Sequence, residues 1–333
     1  MAESSCYIHI GAPKTGSTFL QRVFYDNRDE LRARGLLYPE ANIRGFGHHD
    51  IAFLLSGGYP EWATAQDKPL STLAADLATE VATHRGSLLL SSENFYLFPA
   101  PGALKDLLEK SGALSGRRPR IVVYIRRQDD AHESWYNQRV KAQGETAPIE
   151  SSLESFHDLW DYQRQLALWA QVFGDDALIV KRYPPASGDA PLLDDIVDTL
   201  GLADFAPQLP QKSVNVRENR DILSFQRELN RLPLSPQEKR RFHRELMTLS
   251  ERAKGRGMFD ERPLLGKPER QAIMARYAAG NAAVANRYFG GEPLFPARPE
   301  RARETACSAP PPETGLTDKK MVYILGWLLA YKD

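Results

Sequence analysis

Near the start of the chain, Gly11-Ala12-Pro13-Lys14-Thr15-Gly16-Ser17-Thr18 gathers a lysine, three hydroxyls and two glycines between an apolar run and a helical repeat. The apolar run, Cys6-Tyr7-Ile8-His9-Ile10, predicts a short buried strand, and Phe19, Leu20, Val23, Phe24 and Leu31 give residues 15–34 a helical period. Strand, tight loop and helix in that order aim successive backbone N–H groups and the positive end of a helix dipole at one point. Lys14, Ser17 and Thr18 add side-chain donors there, so the chemistry is the binding of a phosphate-like anion.

The loop is close to the triphosphatase pattern G-x-x-x-x-G-K-[ST] but departs from it at the residue that matters. Gly11, Gly16 and Thr18 keep the spacing, Ser17 stands where that pattern needs lysine, and the lysine has moved forward to Lys14. A loop that holds a γ-phosphate with Mg²⁺ relies on the later lysine, so ATP hydrolysis is not the expected activity.

Two further groups could act at the same edge. The run Ser87-Leu88-Leu89-Leu90-Ser91 predicts a buried parallel strand that delivers Glu93 to its carboxyl end, where ligands sit in open α/β sheets. A carboxylate there can take a proton from an acceptor hydroxyl; the plainer alternative is a helix cap or a salt bridge. The strand over residues 120–125 ends at Arg126-Arg127, and Ser134 follows eight positions after Arg126 in a helix that Asp129 or Asp130 is expected to cap. A guanidinium fork and a hydroxyl so spaced suit a second phosphate, with Arg127 a rival for the role and a structural ion pair the plainer reading. His48 and His49 are adjacent, share no helix or strand face and do not suggest a metal site; His49 is a reserve candidate for the base.

These residues need a scaffold, and the pattern supplies one. Apolar strands near residues 6–10, 87–91, 120–125 and 177–180 alternate with helical segments. Right-handed crossovers make that a parallel sheet covered on both faces, a three-layer α/β/α architecture with extra C-terminal helices. Ser71 is expected to cap a helix closing at Gly86, and Ser235-Pro236-Gln237-Glu238 is a capping box with Pro at the first helical position. A further helix is expected over residues 268–289. The aromatic run over residues 156–174 has helical spacing and predicts core. Residues 1–296 are expected to form one α/β domain, with the helices of residues 219–290 as its elaboration. Residues 297–316 are a Pro-, Arg- and Glu-rich linker. Residues 317–333 form an apolar helix, too short to span a bilayer, that docks on the protein, a second subunit or a membrane surface.

Composition narrows the partners. In 333 residues, 43 basic and 43 acidic side chains cancel, which argues against a broad nucleic-acid surface and makes any anion site local. Two cysteines cannot build a disulfide framework, and the first strand starts almost at once, so the expected location is cytoplasmic.

The segment Pro13-Lys14-Thr15-Gly16-Ser17-Thr18, with Glu93 and the Arg126/Ser134 pair, resembles the sulfotransferases that use 3′-phosphoadenosine 5′-phosphosulfate (PAPS), in particular those that sulfate carbohydrates of the heparan sulfate kind. The resemblance covers residues 6–201 and implies a P-loop-like fold. It implies a 5′-phosphosulfate site at Lys14, Thr15, Gly16, Ser17 and Thr18, a 3′-phosphate site at Arg126 and Ser134, and Glu93 as catalytic base. It also implies a carbohydrate or glycoconjugate acceptor, and because a sulfuryl group carries one negative charge, fewer than a γ-phosphoryl, lysine and backbone donors are expected to suffice without a metal. By position alone, the polar loop over residues 207–219, with Lys212 and Arg217, matches the family's late cofactor loop.

Overall fold

The computed structural model describes residues 4–60, 63–184, 190–210, 219–296 and 315–330. The chain divides into two compact units, the first from Met1–Arg126, Asp161–Ser213 and Ala279–Leu294, the second from Arg127–Trp160, Val214–Ala278 and Phe295–Asp333.

The first unit is built on the expected parallel sheet. Its strands are β1 (Ser5–His9), β2 (Leu36–Leu37), β3 (Ser87–Ser91), β4 (Arg118–Ile125) and β5 (Leu178–Arg182), in the order β2-β3-β1-β4-β5. All four pairings are parallel. After β1 the chain fills one side of the sheet and then crosses to the other, so the topological switch point lies beside the end of β1, where such sheets bind ligands. Leu89, Val122 and Tyr124 pack against Leu20, Val23 and Phe24 of the helix Ser17–Asp26 and against Leu192 and Ile196 of the helix Ala190–Thr199. Strand alternation sends Leu88, Leu90, Ile121 and Val123 to the other face, and they are also fully buried, so both faces are covered.

Several boundaries differ from the expectation for local reasons. The helix expected over residues 15–34 is two helices, Ser17–Asp26 and Arg28–Ala33. Asn27 breaks it by turning its amide to the Val23 and Gln208 carbonyls at 2.8 and 2.9 Å while accepting from the Gln208 N–H at 2.8 Å. Ser71 is not a cap: the helix Leu70–Ala82 starts a residue earlier with Pro69 at the N-cap. Asp129 and Asp130 lie in the first turn of the helix Gln128–Ala142, whose N-cap is Arg127. There they complement the dipole and take ion pairs from Arg270. The helix expected over residues 268–289 is interrupted at Tyr277, giving Lys267–Arg276 and Ala278–Tyr288. The Trp160, Tyr162, Leu166 and Trp169 side chains are core, as their spacing predicts.

The second unit is helical. Ser235 and Glu238 form the expected capping box on the helix Pro236–Ala253. Leu246, Leu249 and Ala253 of that helix pack with Ile222, Phe259 and Ile324, the last from the C-terminal helix Asp318–Ala330. Its Lys320 ammonium donates to Asp221 Oδ2 at 2.6 Å inside this core, while Val322, Leu325 and Leu329 stay exposed. Among the described residues no helix is long and apolar enough to cross a membrane. Lys212, Arg217 and most of the 297–316 stretch lie outside the described residues.

Candidate active site

The loop after β1 has the backbone that anion binding needs. Gly11, Lys14 and Gly16 have positive φ values of 39°, 67° and 79°, so the chain reverses sense within a few residues. Glycine meets this demand freely, but Lys14 holds it at a cost of roughly 1 kcal/mol, a strain typical of functional loops. Gly16 has a second reason to lack a side chain: a Cβ there would collide with Leu192 Cδ2. Thr15 is fully buried and its hydroxyl donates to the Ala12 carbonyl at 2.6 Å, so its side chain closes the loop and only its backbone is left for a ligand. Ser17 and Thr18 open the helix, the first buried and the second exposed.

Arg126 emerges from β4 directly onto this loop. Its Nη1 donates to the Lys14 carbonyl at 3.0 Å, its guanidinium lies over the Tyr183 ring at 5.4 Å, and its own carbonyl accepts from Tyr162 Oη at 2.6 Å. Carbonyl and ring hold the guanidinium against the loop that carries Lys14. Arg127 is turned to other work inside the second unit, pairing with Asp129 at 3.3 Å and donating to the Pro296 carbonyl. Ser134 lies half-buried on the helix Gln128–Ala142 of the second unit.

At the end of β3, Glu93 stands at the N-cap of the short helix Asn94–Leu97 but makes no side-chain cap. Its Oε2 accepts from Gln21 Nε2 at 2.9 Å, and Gln21 sits one turn past Ser17 on the loop's own helix. His49 completes the cluster. It starts the helix His49–Leu55, and its Nδ1 lies 2.7 Å from Ser92 Oγ and 3.0 Å from Asn94 Nδ2. Gly47 lets these groups converge: a Cβ there would stand 2.9 Å from both the Gln21 amide carbon and His49 Nε2. Glu93 and His49 are half-buried, open enough to meet a substrate. His48 is structural: its Nδ1 accepts from the Ser91 N–H at 3.1 Å and its Nε2 therefore donates to the Pro39 carbonyl at 3.0 Å. Burial lowers its pKa to about 4.

The structure thus gathers Lys14, Thr15, Gly16, Ser17, Thr18, Arg126, Glu93 and His49 at one edge of the first unit's sheet. Gln21, Ser92 and Asn94 join this group without belonging to any motif in the sequence. Gln21 left a trace, as a polar residue on the helical face that carries Leu20 and Phe24 into the core. Ser92 and Asn94 left none, since their partner His49 is distant in sequence.

No family model matches the sequence. Over 213 residues, 62% of the chain, it is 27% identical to an uncharacterised protein of Archaeoglobus fulgidus, and it spans about half, 55%, of that protein's length. Among solved structures it is similar to the crystal structure of a sulfotransferase from Alicyclobacillus acidocaldarius, with a TM-score of 0.46 and 15% identity over 86% of this chain and 96% of that one. It is also similar to a mouse sulfotransferase complexed with PAP, with a TM-score of 0.37 and 11% identity over 88% of each chain.

Proposed function

We propose that this chain is a PAPS-dependent sulfotransferase acting on a hydroxyl or amine of a carbohydrate or glycoconjugate. The observation that carries the reading is the junction of two contacts at the end of β1: Arg126 on the Lys14 carbonyl, and Gln21 of the same loop's helix on Glu93. A cationic anion cradle and a carboxylate base then share one edge of the sheet.

The loop fits the group. Gly11 lacks a side chain where a Cβ would stand 3.3 Å from His9 Nε2 and 3.4 Å from Ser17 Cβ, keeping the inner face of the loop clear. Lys14 and the amides of residues 14–18 would hold the 5′-phosphate, and Arg126 the 3′-phosphate. PAPS supplies an activated sulfuryl group and leaves as 3′-phosphoadenosine 5′-phosphate (PAP). Glu93 takes the acceptor proton as the new O–S or N–S bond forms and the S–O bond to the phosphate breaks. Lys14 meets the charge that grows on the leaving oxygen, where preorganised donors are worth most. Gln21 keeps Glu93 from rotating away, and His49, held by Ser92 and Asn94, is placed to orient the acceptor beside it.

The test is ligand stabilisation followed by transfer. PAP is expected to raise the melting temperature, since a ligand that binds only the folded state at 100 times its Kd adds about 2.7 kcal/mol. PAPS with carbohydrate acceptors is then expected to release PAP. Stabilisation by ATP with Mg²⁺ and not by PAP makes the chain a nucleotide kinase or triphosphatase instead, and PAP binding without transfer makes it a non-catalytic binding module.

A further inference from the structure

The His9 side chain, at the end of β1, is completely buried with only one ring nitrogen engaged. Nδ1 lies 2.7 Å from the hydroxyl of Ser91, its register partner on β3. Nε2 is shut off from solvent and has no hydrogen-bond partner among the described residues. It looks across Gly11 to Ser17, the first residue of the helix, because a Cβ at Gly11 would stand 3.3 Å from Nε2 and 3.4 Å from Ser17 Cβ. A buried polar atom is thus aimed at the inner face of the anion loop.

Its neighbours decide which nitrogen carries the proton. Tyr38 gives its hydroxyl proton to the Phe46 carbonyl at 2.7 Å, so toward Ser91 its oxygen can only accept. Ser91 Oγ is left to accept from His9 Nδ1–H, so Nε2 presents a bare lone pair to the loop. A lone pair facing a phosphate is repulsive, whereas the same nitrogen protonated is a donor beneath the anion. We propose that His9 is the proton-taking residue of the cofactor loop: seating a phosphate there draws one proton from solvent onto Nε2, and the imidazolium then neutralises part of the ligand's charge. The inference rests on the sulfotransferase reading and adds to it a proton that travels with the nucleotide.

The charges around the ring agree with this. Burial holds His9 neutral in the empty protein, its pKa lowered to about 4, while the Glu93 carboxylate at the end of β3 pulls the other way. From β4 the ring meets the edge of Tyr124 at 6.2 Å, and from the loop it faces Gly11 and Ser17. Each unit of phosphate charge about 5 Å away in a medium of effective dielectric about 20 raises proton affinity roughly 300-fold, so a phosphate dianion is enough to protonate the ring near neutral pH. The 5′-phosphate of PAP gains charge when the S–O bond breaks, so the product should hold the proton more firmly than PAPS.

Calorimetric titration with PAP near pH 6.5, in buffers of low and high ionisation enthalpy, counts the protons taken up. Wild type is expected to take up roughly half to one proton more per PAP than His9→Asn, whose amide can keep the Ser91 contact but has nothing at Nε2. The ligand's own phosphate protons are common to both proteins and cancel. Histidine Cε1 resonances of unmutated protein give a second reading if the variant does not fold: one is expected to move to its imidazolium position on adding PAP. PAP binding with equal uptake in the two proteins, or with no histidine resonance shifting, overturns the inference and leaves the sulfotransferase reading intact. Failure of PAP to bind wild type at any pH removes both.

Discussion

Gln21 Nε2 donates to Glu93 Oε2 at 2.9 Å across 72 residues of sequence, joining the helix that carries the anion loop to the carboxylate at the end of β3. The contact gives the two proposed functions, holding the leaving group and taking the proton, a common mount. Gln21→Met keeps the volume and removes the donor. Turnover is then expected to fall roughly 10-fold with the KM for PAPS nearly unchanged, because only the aim of the base is lost. Glu93→Gln removes the base itself and is expected to cost about 10²–10⁴ in turnover while PAP still binds. Steady-state kinetics of both variants decide the matter. Full turnover in Glu93→Gln would hand the base role to His49, and equal losses in kcat and PAP affinity in Gln21→Met would make that residue part of the nucleotide site.

Lys14 combines a backbone φ of 67° with the ammonium proposed to face the leaving oxygen. Two substitutions separate the two properties. Lys14→Ala and Lys14→Gly both remove the charge and are expected to lower turnover roughly 100-fold or more. Only the glycine relieves the left-handed backbone, so Lys14→Gly is expected to be more stable than Lys14→Ala by about 1 kcal/mol in urea unfolding. Equal stabilities would mean that the loop carries no strain, and a change confined to KM would place the ammonium in ground-state binding.

What the sequence disclosed follows the range of each force. The sheet was legible because buried parallel strands are continuous apolar runs, and the loop because glycine, lysine and hydroxyls fall within eight residues. Arg126 was legible by its place at a strand end. The break at Asn27 was hidden, since the Gln208 backbone that satisfies its amide lies 181 residues away. The placing of His49 was hidden because Ser92 and Asn94, which position it, sit on another strand's end. His9 read as one more residue of a buried strand. Only register, which pairs it with Ser91, and the side-chain-free Gly11 make its second nitrogen conspicuous.

In the second unit the C-terminal helix is held by a charge as well as by apolar contact. Lys320 and Asp221 are both almost fully buried, and Asp221 Oδ2 also accepts from the Asp260 N–H at 2.7 Å. Removing one member of such a pair strands the other in a medium that solvates it poorly. Lys320→Met is expected to cost roughly 3 kcal/mol by chemical denaturation, and Lys320→Met with Asp221→Leu to recover much of that loss. A cost below about 1 kcal/mol would show that water reaches the pair as it reaches a surface bridge.

Buried histidines shape how the ligand-free protein responds to acid. Burial lowers the pKa of His9 and of His48 from 6.5 to about 4. Between those values the unfolded chain binds protons that the folded chain refuses. Stability is therefore complete above pH 6.5 and is lost as the pH falls toward 4, at about 1.4 kcal/mol per pH unit for each histidine. His132, also lowered by burial, acts in the same direction. The His48→Asn variant can still accept from the Ser91 N–H through its amide oxygen but has no titrating ring. Its stability at neutral pH is expected to drop because the Pro39 carbonyl loses its donor, while its slope between pH 6 and 4.5 becomes shallower than that of wild type by about 1.4 kcal/mol per pH unit. Urea unfolding at four or five pH values gives both numbers. An unchanged slope would mean that His48 already carries its proton in the folded state, which two hydrogen bonds of opposite sense, Nδ1 accepting and Nε2 donating, do not allow.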